Sequence, residues 1–440
     1  MANEEFFSEF ESFSKADWLA QIEKDLKGKK PKDLFKKWQD LEVEPFKDKS
    51  DRAQSSYSFR AQSAWLIRQS FCIDSPKDSN KEILLALNEG VNNLEISNIS
   101  DADSLNQALA GVDFSFIRTD LKLGDWLMNG AKEAFQKLAE DKEISGSWNF
   151  DPLNKRYKDG DFYASQAEDM AFINQLAKSE LKNFHLVEVN TAVFHNQGAY
   201  AITELAIGLA MFNEYLGFLS EPEKNGHKVN FSLGLGVNYF LELAKIRSFR
   251  KLVKSVASEY QSTEEHFINA ETGTWSITAS DRHNNILRAS TQAMAAAIGG
   301  ADSISILGHD LVLNSERSFA KHIARMQHQM LAEESFLDRV YDPVSGSYFI
   351  ESLGEELEAA AWKKFQEIES VGGYLQAVEN GLIKSWVQSD RAEQLAQLES
   401  GELTSLGVNL YSNEKEDLDL KKLRDFDRLS KGLEKDKTHG

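Results

Sequence analysis

Several features that define common protein classes are missing from this sequence. Its 440 residues hold one cysteine, Cys72, which excludes an intramolecular disulfide framework and a cysteine-based metal site. No apolar run of about 18 residues occurs, so we expect no membrane-spanning helix. The acidic stretch MANEEFFSEFESFSKADW lacks the basic and apolar regions of a secretory signal. We therefore expect a cytoplasmic protein in which Cys72, within an apolar run, is buried.

Well-known catalytic and metal motifs are also missing. The sequence has no HExxH, no GxxxxGK[ST] phosphate loop and no GxSxG elbow. His322 and His328 are six positions apart, so they do not share one helix face as metal ligands. The net charge of -20 disfavours nucleic acid as a partner. We expect neither a metal site nor nucleic-acid binding.

What the chain does contain is one repeated pattern between residues 64 and 335. Short apolar or alternating runs precede longer segments with helical periodicity. The predicted strands are 64–73, 92–96, 114–119, 145–151, 184–189, 229–235, 266–272 and 302–307. Eight strand–helix units of this length are typical of a (β/α)₈ TIM barrel in the α/β class, and a doubly wound open sheet is the alternative.

The pattern also suggests how the chain is divided. Residues 1–60 are predicted as an N-terminal helical arm and residues 61–340 as the barrel. Residues 341–412 are predicted as a helical extension that closes the barrel domain. Residues 413–440 are rich in charge, and we expect them to form a solvated tail.

His195 is the one candidate catalytic residue. It follows the predicted strand 184–189, and catalytic residues of such barrels lie at the carboxyl ends of strands. A histidine there could act as a general acid, or it could be a hydrogen-bonded structural residue. Gly234 and Gly236 lie between a strand and a helix, where backbone N–H groups could approach an anion. Without a third glycine, tight strand–helix packing is favoured.

The stretch RHNNILRASTQAMAAAIGGADSISI, residues 282–306, predicts a helix rich in alanine. We expect His283, with Asn284 and Asn285, to cap this helix; Asp281 is another plausible N-cap, and Gly299 with Gly300 ends the helix. Arg288 could face a carboxylate or phosphate, although a local salt bridge is the more common use. The alanines allow close approach to neighbouring helices, so we interpret the stretch as scaffold.

Six segments together carry a family resemblance. Three of them are TGTWSITASDRHNNILRASTQAMAAAIGGADSISI, GLGVNYFLELAKIRSFRKL and MLAEESFLDRVYDPVSGSYFIESL. The others are SWNFDPL at 147–153, FHNQGAYAITELAIGLA at 194–210 and GVNLY at 407–411. In this order, over roughly residues 60 to 412, they resemble the methylmalonyl-CoA mutase family.

The resemblance implies a fold and a chemistry. Family members are (β/α)₈ barrels that bind acyl-CoA along the barrel axis and are followed by a flavodoxin-like cobalamin domain. A D-x-H-x-x-G histidine of that domain binds cobalt. Adenosylcobalamin then starts the radical rearrangement between methylmalonyl-CoA and succinyl-CoA.

This sequence departs from that pattern at the cobalamin site. No D-x-H-x-x-G occurs, and His439 is the only histidine after His328. We therefore expect no cofactor-binding residues here. The resemblance implies the small, non-catalytic subunit of a heterodimer whose large catalytic subunit binds adenosylcobalamin. The alternatives are a catalytic barrel with its cobalamin domain on a separate polypeptide, and an assembly or cofactor-loading factor.

The barrel interior should distinguish the first two interpretations. Phe114 and Phe116, and likewise Trp148 and Phe150, have the i, i+2 spacing that points both members of a pair to one face of a strand. If that face is inward, four aromatic rings fill the axis and leave no path for the pantetheine arm of acyl-CoA. If it is outward, the rings pack beneath helices and the interior stays undetermined.

Two details of the resemblance favour the small subunit. The spacing from His195 to Glu204 is that of small subunits, whereas catalytic chains carry a longer HMQEAGA-type insertion there. SWNFDPL occupies the strand in which catalytic chains show a glutamine-containing motif. We therefore expect no catalytic residue, with His195 as a residual candidate.

The N-terminal arm carries an apolar stripe. Trp18, Leu19, Ile22 and Leu26 recur at helical spacing and need a surface to cover them. WLAQIEKDLKGKKPKDLFKKW resembles the family's N-terminal segment, which wraps around the partner subunit. We expect residues 1–50 to bury apolar surface on a large subunit.

Overall fold

The structure is a computed structural model that describes most of the chain. The described residues are 11, 13–51, 59–124, 144–177, 183–219, 228–262, 264–313, 318–412 and 420–436. Within them, none of the helices combines the length and the hydropathy needed to cross a lipid bilayer.

Strands in the described residues form a hairpin and one parallel sheet. In chain order they are β1 (Lys36–Trp38), β2 (Leu41–Val43), β3 (Leu66–Cys72), β4 (Asn93–Ser97), β5 (Arg118–Leu121), β6 (Ser145–Ser147), β7 (Phe184–His185), β8 (Val187–Asn190), β9 (Val229–Leu235), β10 (Phe267–Thr272) and β11 (Ser303–Ser305). The hairpin pairs β1 with β2, and the nine-stranded sheet has the order β7-β6-β5-β4-β3-β11-β10-β9-β8.

Helices surround this sheet and continue beyond it. In chain order they are α1 (Lys15–Asp25), α2 (Pro76–Asn88), α3 (Ala102–Ala108), α4 (Pro152–Asp159), α5 (Gln166–Ala177), α6 (Ala192–His195), α7 (Ala201–Phe218), α8 (Tyr239–Glu259), α9 (Asn284–Gly299), α10 (Ser318–Gln329), α11 (Tyr348–Ser370), α12 (Tyr374–Glu379), α13 (Leu382–Ser400) and α14 (Lys431–Asp436). The helix predicted for GDWLMNGAKEAFQKLAED falls largely in residues 125–143, outside the described residues.

The sheet closes through its two end strands. β7 pairs with β6, β8 pairs with β9, and Leu186 alone separates the two. The Leu186 amide donates to the Lys228 carbonyl at 2.9 Å, and the Trp148 amide donates to the His185 carbonyl at 3.0 Å. Residues 184–190 thus act as one strand that is hydrogen-bonded to β6 on one side and to β9 on the other. The predicted (β/α)₈ barrel is confirmed, and the open sheet is excluded.

One predicted strand is wrong in position. Phe114–Phe116 form a 3₁₀ turn, and β5 begins only at Arg118. The Asp113 carboxylate accepts from the Ser115 amide at 3.0 Å, which stabilises a turn where the residue pattern suggested extended chain. Phe114 is buried while Phe116 is 82% exposed, so the two do not share a face of a strand.

Trp148 and Phe150 point away from the barrel axis. The Phe150 ring stacks on Tyr163 with centroids 5.0 Å apart and meets Phe172 of α5 edge-on at 5.5 Å. Trp148 packs against Phe184 at 5.2 Å. The aromatic pairs therefore do not fill the axis, and other side chains decide whether it is open.

The prediction that Cys72 is buried is wrong. Cys72 is exposed at the end of β3, where its thiol lies 3.4 Å from Asp74 Oδ1. Alternation along the strand puts Cys72 on the same inward face as Arg68 and Ser70, at the mouth of the barrel. Neighbouring Phe71 faces the helices and is buried.

The alanine-rich helix packs as predicted. Ala293, Ala295 and Ala296 are fully buried, and a Cβ on Gly299 would lie 3.0 Å from the Leu243 carbonyl oxygen of α8. Gly300, with φ of 89°, ends the helix.

Of the two predicted N-caps of that helix, His283 occupies the N-cap position and Asp281 does not. α9 begins after His283 without a side-chain cap. The Asp281 carboxylate instead accepts from the Asn284 side-chain amide at 2.6 Å.

Part of the C-terminal segment is packed, so the expected solvated tail is wrong for the buried residues Arg428, Ser430 and Glu434. Glu434 is fully buried and its carboxylate accepts from the amides of Ala279 and Ser280 at 2.6 and 3.1 Å. Arg428 pairs with the same carboxylate at 2.9 Å. A charged segment becomes buried here because its charge and the loop amides satisfy one another.

The N-terminal arm lies at the surface. No residue of α1 is buried, and a capping box between Ser14 and Asp17 starts the helix. Trp18 stacks on Phe46 with ring centroids 4.4 Å apart, and Lys15 pairs with Asp51 at 2.8 Å. These contacts lie within the N-terminal region itself, and the domain limits suggested by the sequence stay predictions.

Candidate functional site

Polar and charged side chains fill the inside of the barrel. They alternate along the strands with apolar residues that face the helices, as the period of two of a β-strand requires. The buried members of this set are Arg68, Asn93, Glu95, Arg118, Asp120, Ser147, Asn149, Glu188, Asn230, Ser232, Asn269, Ser303 and Ser305.

The side chain of Arg68 crosses the middle of the barrel. It starts on β3 and its guanidinium contacts Glu95 at 2.6 Å, Asp120 at 3.7 Å and Glu188 at 3.9 Å. β8, which carries Glu188, lies opposite β3 in the ring. This ion cluster therefore spans the full width of the axis.

A second crossing lies nearer the amino ends of the strands. The Arg118 guanidinium of β5 lies 3.8 Å from the centroid of the Phe267 ring on β10, the strand opposite β5. Arg118 also pairs with Asp120 at 2.9 Å. A cation held over an aromatic face is an attractive contact, stronger where water is excluded.

Amides and hydroxyls fill the space between the charged groups. Asn230 donates to Asn149 at 2.8 Å, and Asn269 donates to Asn230 at 2.8 Å. Ser232 donates to Glu188 at 2.6 Å, and Ser147 donates to Asp120 at 2.8 Å. The interior is thus a connected polar network.

A cavity of about 860 Å³ opens at the amino ends of the strands. Arg118, His185 and Phe267 are among its lining residues, together with Arg60 and Arg250 nearer the rim. The cavity therefore reaches the Arg118–Phe267 contact from the amino ends of the strands.

Three of the axial carboxylates, Glu95, Glu188 and Glu271, have shifted pKa values. Burial alone raises the pKa of Glu95, but the adjacent Arg68 guanidinium holds it below the ordinary value. Burial raises the pKa of Glu188 to about 7, against the opposing effect of Lys122. Burial likewise raises the pKa of Glu271. Glu188 and Glu271 therefore bind a proton more tightly than freely exposed carboxylates do, because burial penalises their charged form.

His195 belongs to a separate buried cluster at the carboxyl end of β8. Its Nδ1 lies 3.6 Å from Glu204 Oε2, and Glu204 is bound by Lys245 at 2.9 Å and by the Gly234 amide at 2.8 Å. Burial alone raises the pKa of Glu204, but the Lys245 ammonium lowers it to about 2. His195 thus faces a permanent anion.

Glycines on two neighbouring strand ends make room for the His195 ring. A Cβ on Gly234 would lie 2.5 Å from the ring, and a Cβ on Gly273 would lie 2.5 Å from Nε2. A Cβ on Gly236 would lie 2.7 Å from Glu242 Oε1. The tight packing predicted for Gly234 and Gly236 is confirmed. It places these glycines beside His195, which the sequence presented as a separate feature.

The arrangement permits proton chemistry at His195 without showing a reaction. His195 Nε2 is buried and makes no hydrogen bond to any residue that the structure describes. An imidazole with one nitrogen near a carboxylate and the other unpaired can hold or donate a proton. The same contacts also suit a residue that only orders the ends of β8, β9 and β10.

Among the residues that the structure describes, no carboxylate forms an ion pair with Arg288. Its guanidinium donates to Thr278 Oγ1 at 3.0 Å, to Asn285 Oδ1 at 2.8 Å and to the Leu406 carbonyl at 2.8 Å. Arg288 therefore ties the loop after β10 to residues 402–411, as part of the scaffold.

The helical histidines make other contacts. His322 lies 3.3 Å from Glu89, and His328 accepts from the Trp65 indole at 3.2 Å. Within the described ranges, no group of three or more His, Cys, Asp or Glu side chains could hold a metal ion.

The axial charges are the part of the site that sequence reasoning missed. A signal existed, because four of the predicted strands contain a charged residue within an apolar run: Arg68, Glu95, Arg118 and Glu188. Strand alternation would have placed them inside the barrel once the facing of each strand was known.

Comparison with known proteins gives consistent relatives. The family described as methylmalonyl-CoA mutase matches residues 99–435. A methylmalonyl-CoA mutase small subunit from Porphyromonas gingivalis is 30% identical over 93% of this chain and 71% of its own length. One from Streptomyces virginiae is 30% identical over 76% of this chain and 56% of its own length. The human mitochondrial methylmalonyl-CoA mutase is 28% identical over 91% of this chain and 61% of its own length. The chain thus spans between about half and three quarters of these relatives.

Proposed function

Because the chain belongs to the methylmalonyl-CoA mutase family, we propose that it is the small, non-catalytic subunit of a heterodimeric mutase. Its partner is a large catalytic subunit that binds adenosylcobalamin and interconverts methylmalonyl-CoA and succinyl-CoA in the cytoplasm. Two small subunits among the relatives support the subunit role.

The single observation that carries the non-catalytic role is the crossed axis. In the family, acyl-CoA is expected to thread the barrel along that axis. Here Arg68 reaches Glu188 and Arg118 reaches Phe267 from opposite strands, which leaves no continuous path. Opening it would leave buried charges without their partners, at several kcal/mol each.

Adenosylcobalamin does not fit the residues of this chain. The sequence offers no D-x-H-x-x-G histidine. At the carboxyl ends of the strands, residues 420–436 lie against the loops 274–281 and 308–313 through Glu434, Arg428 and Arg424. We therefore propose that the partner subunit binds the cofactor.

The contribution that we propose for this chain is therefore an interface with the large subunit. Leu19, Ile22 and Leu26 of the arm are only half-buried, and Phe13 is 76% exposed. Apolar side chains grouped on one surface mark a site of association. We propose that these apolar side chains of the arm are buried against the large subunit.

Reconstitution tests the proposal. The purified chain, supplied with adenosylcobalamin and methylmalonyl-CoA, should form no succinyl-CoA, whereas addition of the large subunit should give turnover. Gel filtration with light scattering should show one stable complex of the two chains. Turnover by the chain alone would contradict the non-catalytic role.

One observation favours a second candidate, a catalytic barrel whose cobalamin domain is a separate polypeptide. It is the unpaired Nε2 of His195, in a place where catalytic barrels carry reactive groups. Turnover with an isolated cobalamin domain, without any second barrel, would favour this candidate. A transient assembly factor would instead fail to remain bound to the large subunit on gel filtration.

A further inference from the structure

Residues 420–436, which we call the strap, cross the loops at the carboxyl ends of β10 and β11. The Leu429 amide donates to the Trp275 carbonyl at 2.8 Å, and the Arg424 amide donates to the Val312 carbonyl at 2.8 Å. Trp275 and Val312 belong to the loops that follow these two strands. The strap therefore lies over the end at which barrels of this fold carry their reactive groups.

Apolar and surface contacts of the strap are small. Leu423 and Phe426 are half-buried and pack in a minor cluster with apolar residues of the two loops, separate from the main core of the barrel. Asp427 pairs with Arg391 of α13 at 2.8 Å, but both groups are partly exposed, so this pair adds little. Loss of these contacts would leave the main core intact.

The buried residues of the strap are all polar. In the part of the strap whose burial is described they are Arg428, Ser430 and Glu434. Glu434 is fully buried, and Oε1 of its carboxylate accepts from the Ala279 and Ser280 amides at 2.6 and 3.1 Å. Its Oε2 accepts from Nε and Nη2 of Arg428, both at 2.9 Å. The strap is thus held chiefly by hydrogen bonds to one ionised group, which are stronger than those between neutral groups.

The donors around this carboxylate come from two parts of the chain. The two amides belong to the loop after β10, and the guanidinium belongs to the strap itself. A further donor of the loop, the Ser280 hydroxyl, is buried and makes no hydrogen bond to any residue that the structure describes. Without the carboxylate, the Arg428 guanidinium would be a buried charge with no counter-ion, which is unfavourable.

We propose that the two loop amides and the Arg428 guanidinium form a carboxylate-binding site, in which Glu434 is an intramolecular ligand. The bound carboxylate holds the strap closed over the carboxyl ends of β10 and β11. When that ligand is lost, the strap detaches while the barrel stays folded, and the apolar residues of the two loops become accessible. The inference concerns this chain alone and does not rest on the heterodimer proposed above.

Glu434→Ala on the full chain tests the inference. Asp425→Ala is the matched control, because it removes an equal charge from the strap at a side chain that is 91% exposed. Hydrogen–deuterium exchange with mass spectrometry follows peptides within residues 421–433 and, as the reference for the barrel, peptides that cover β9 and β10. Each protein is measured in equal concentrations of sodium formate and of sodium chloride, since formate is a small carboxylate that can replace the one removed.

In chloride, strap amides of Glu434→Ala should exchange at least about tenfold faster than those of the wild type, because the strap is no longer held closed. Formate should reverse at least about half of this increase. The wild type and the control should respond alike to the two salts, and the reference peptides should exchange as in the wild type throughout. Glu434→Gln, which keeps an acceptor oxygen but loses the charge, should lie between wild type and Glu434→Ala.

Three results would overturn the inference. They are unchanged strap exchange in Glu434→Ala, an equal response of that variant to formate and chloride, and loss of protection in the strap and the barrel together. A Glu434→Ala chain that fails to fold would also overturn it, because the strap is proposed to detach from an intact barrel.

Discussion

Arg68 and Glu188 meet across the axis of the barrel, with the guanidinium Nη2 3.9 Å from the carboxylate Oε1 and both side chains almost wholly buried. The two residues belong to strands on opposite sides of the ring, so their side chains together span the axis. A barrel of this kind is a packed core and not a channel.

The first prediction concerns His195. We expect His195→Ala to leave turnover of the reconstituted mutase within about twofold, because the proposed catalytic residues lie in the partner. The measurement is succinyl-CoA formation by a complex whose stoichiometry is confirmed by light scattering. A general acid contributes about a hundredfold or more, so a loss of that size with an intact complex would support the catalytic alternative. His322→Ala, at a surface ion pair, serves as the control.

The second prediction concerns Glu188. The folded state keeps its proton up to about pH 7, whereas the unfolded chain releases it near the ordinary pKa of 4.5. The folded state therefore binds more protons in this window, and the contribution of Glu188 to stability falls as the pH rises through it. Glu188→Gln should gain about 2 kcal/mol in unfolding free energy over wild type between pH 5 and pH 8.

Urea unfolding at several pH values measures this difference. Glu259→Gln, at an exposed position, is the control and should show a flat difference. A flat difference for Glu188→Gln as well would show that the axis does not retain this proton.

The third prediction concerns Lys245, whose ammonium is fully buried between Glu204 and Glu242 at 2.9 and 2.5 Å. Lys245→Met should destabilise the protein by about 3–5 kcal/mol, because two buried carboxylates lose their counter-ion. Adding Glu204→Gln and Glu242→Gln should restore part of the loss. Lys254→Met on the same helix, at an exposed site, should change stability by less than about 0.5 kcal/mol. Equal unfolding midpoints for the two lysine variants would refute the role of the cluster.

The fourth prediction concerns Gly234. Gly234→Ala should destabilise the protein by about 1–3 kcal/mol, since its Cβ would lie 2.5 Å from the His195 ring. His195→Ala in the same chain should recover much of that loss, and a thermodynamic cycle measures the coupling. Gly217→Ala, in α7 with nothing within 4 Å of the added Cβ, should be neutral or stabilising. Additive effects of the Gly234 and His195 substitutions would contradict the close fit.

The repeating pattern of strands and helices predicted the barrel because it depends on local periodicity. Alternation fixes which residues share a face, and helix periodicity fixes which stripe is apolar. The error at Phe114 arose from a local competitor, since the Asp113 side chain stabilises a turn within an apolar run. The prediction of a solvated tail was wrong because of contacts between residues far apart in the sequence. The partners of Glu434 lie about 155 residues earlier in the chain, so composition alone suggested a solvated end.

The site was harder to predict than the fold. His195 was identified from its place after a strand, but its neighbour Lys245 comes from a helix 50 residues later. The axial ion pairs join strands from opposite sides of the ring, and no local pattern specifies which charges meet. Trp148 and Phe150 face the surrounding helices, whereas Ser147 and Asn149, which alternate with them, point into the barrel.

The division of residues 184–190 at Leu186 has a consequence for motion. The β6–β7 ladder joins two residue pairs and the β8–β9 ladder four, whereas β9 and β10 are joined over six. Backbone amides between β6 and β7 should lose their protection against deuterium before those between β9 and β10, because only two residue pairs join β6 to β7. We therefore expect the barrel to open first between β6 and β7.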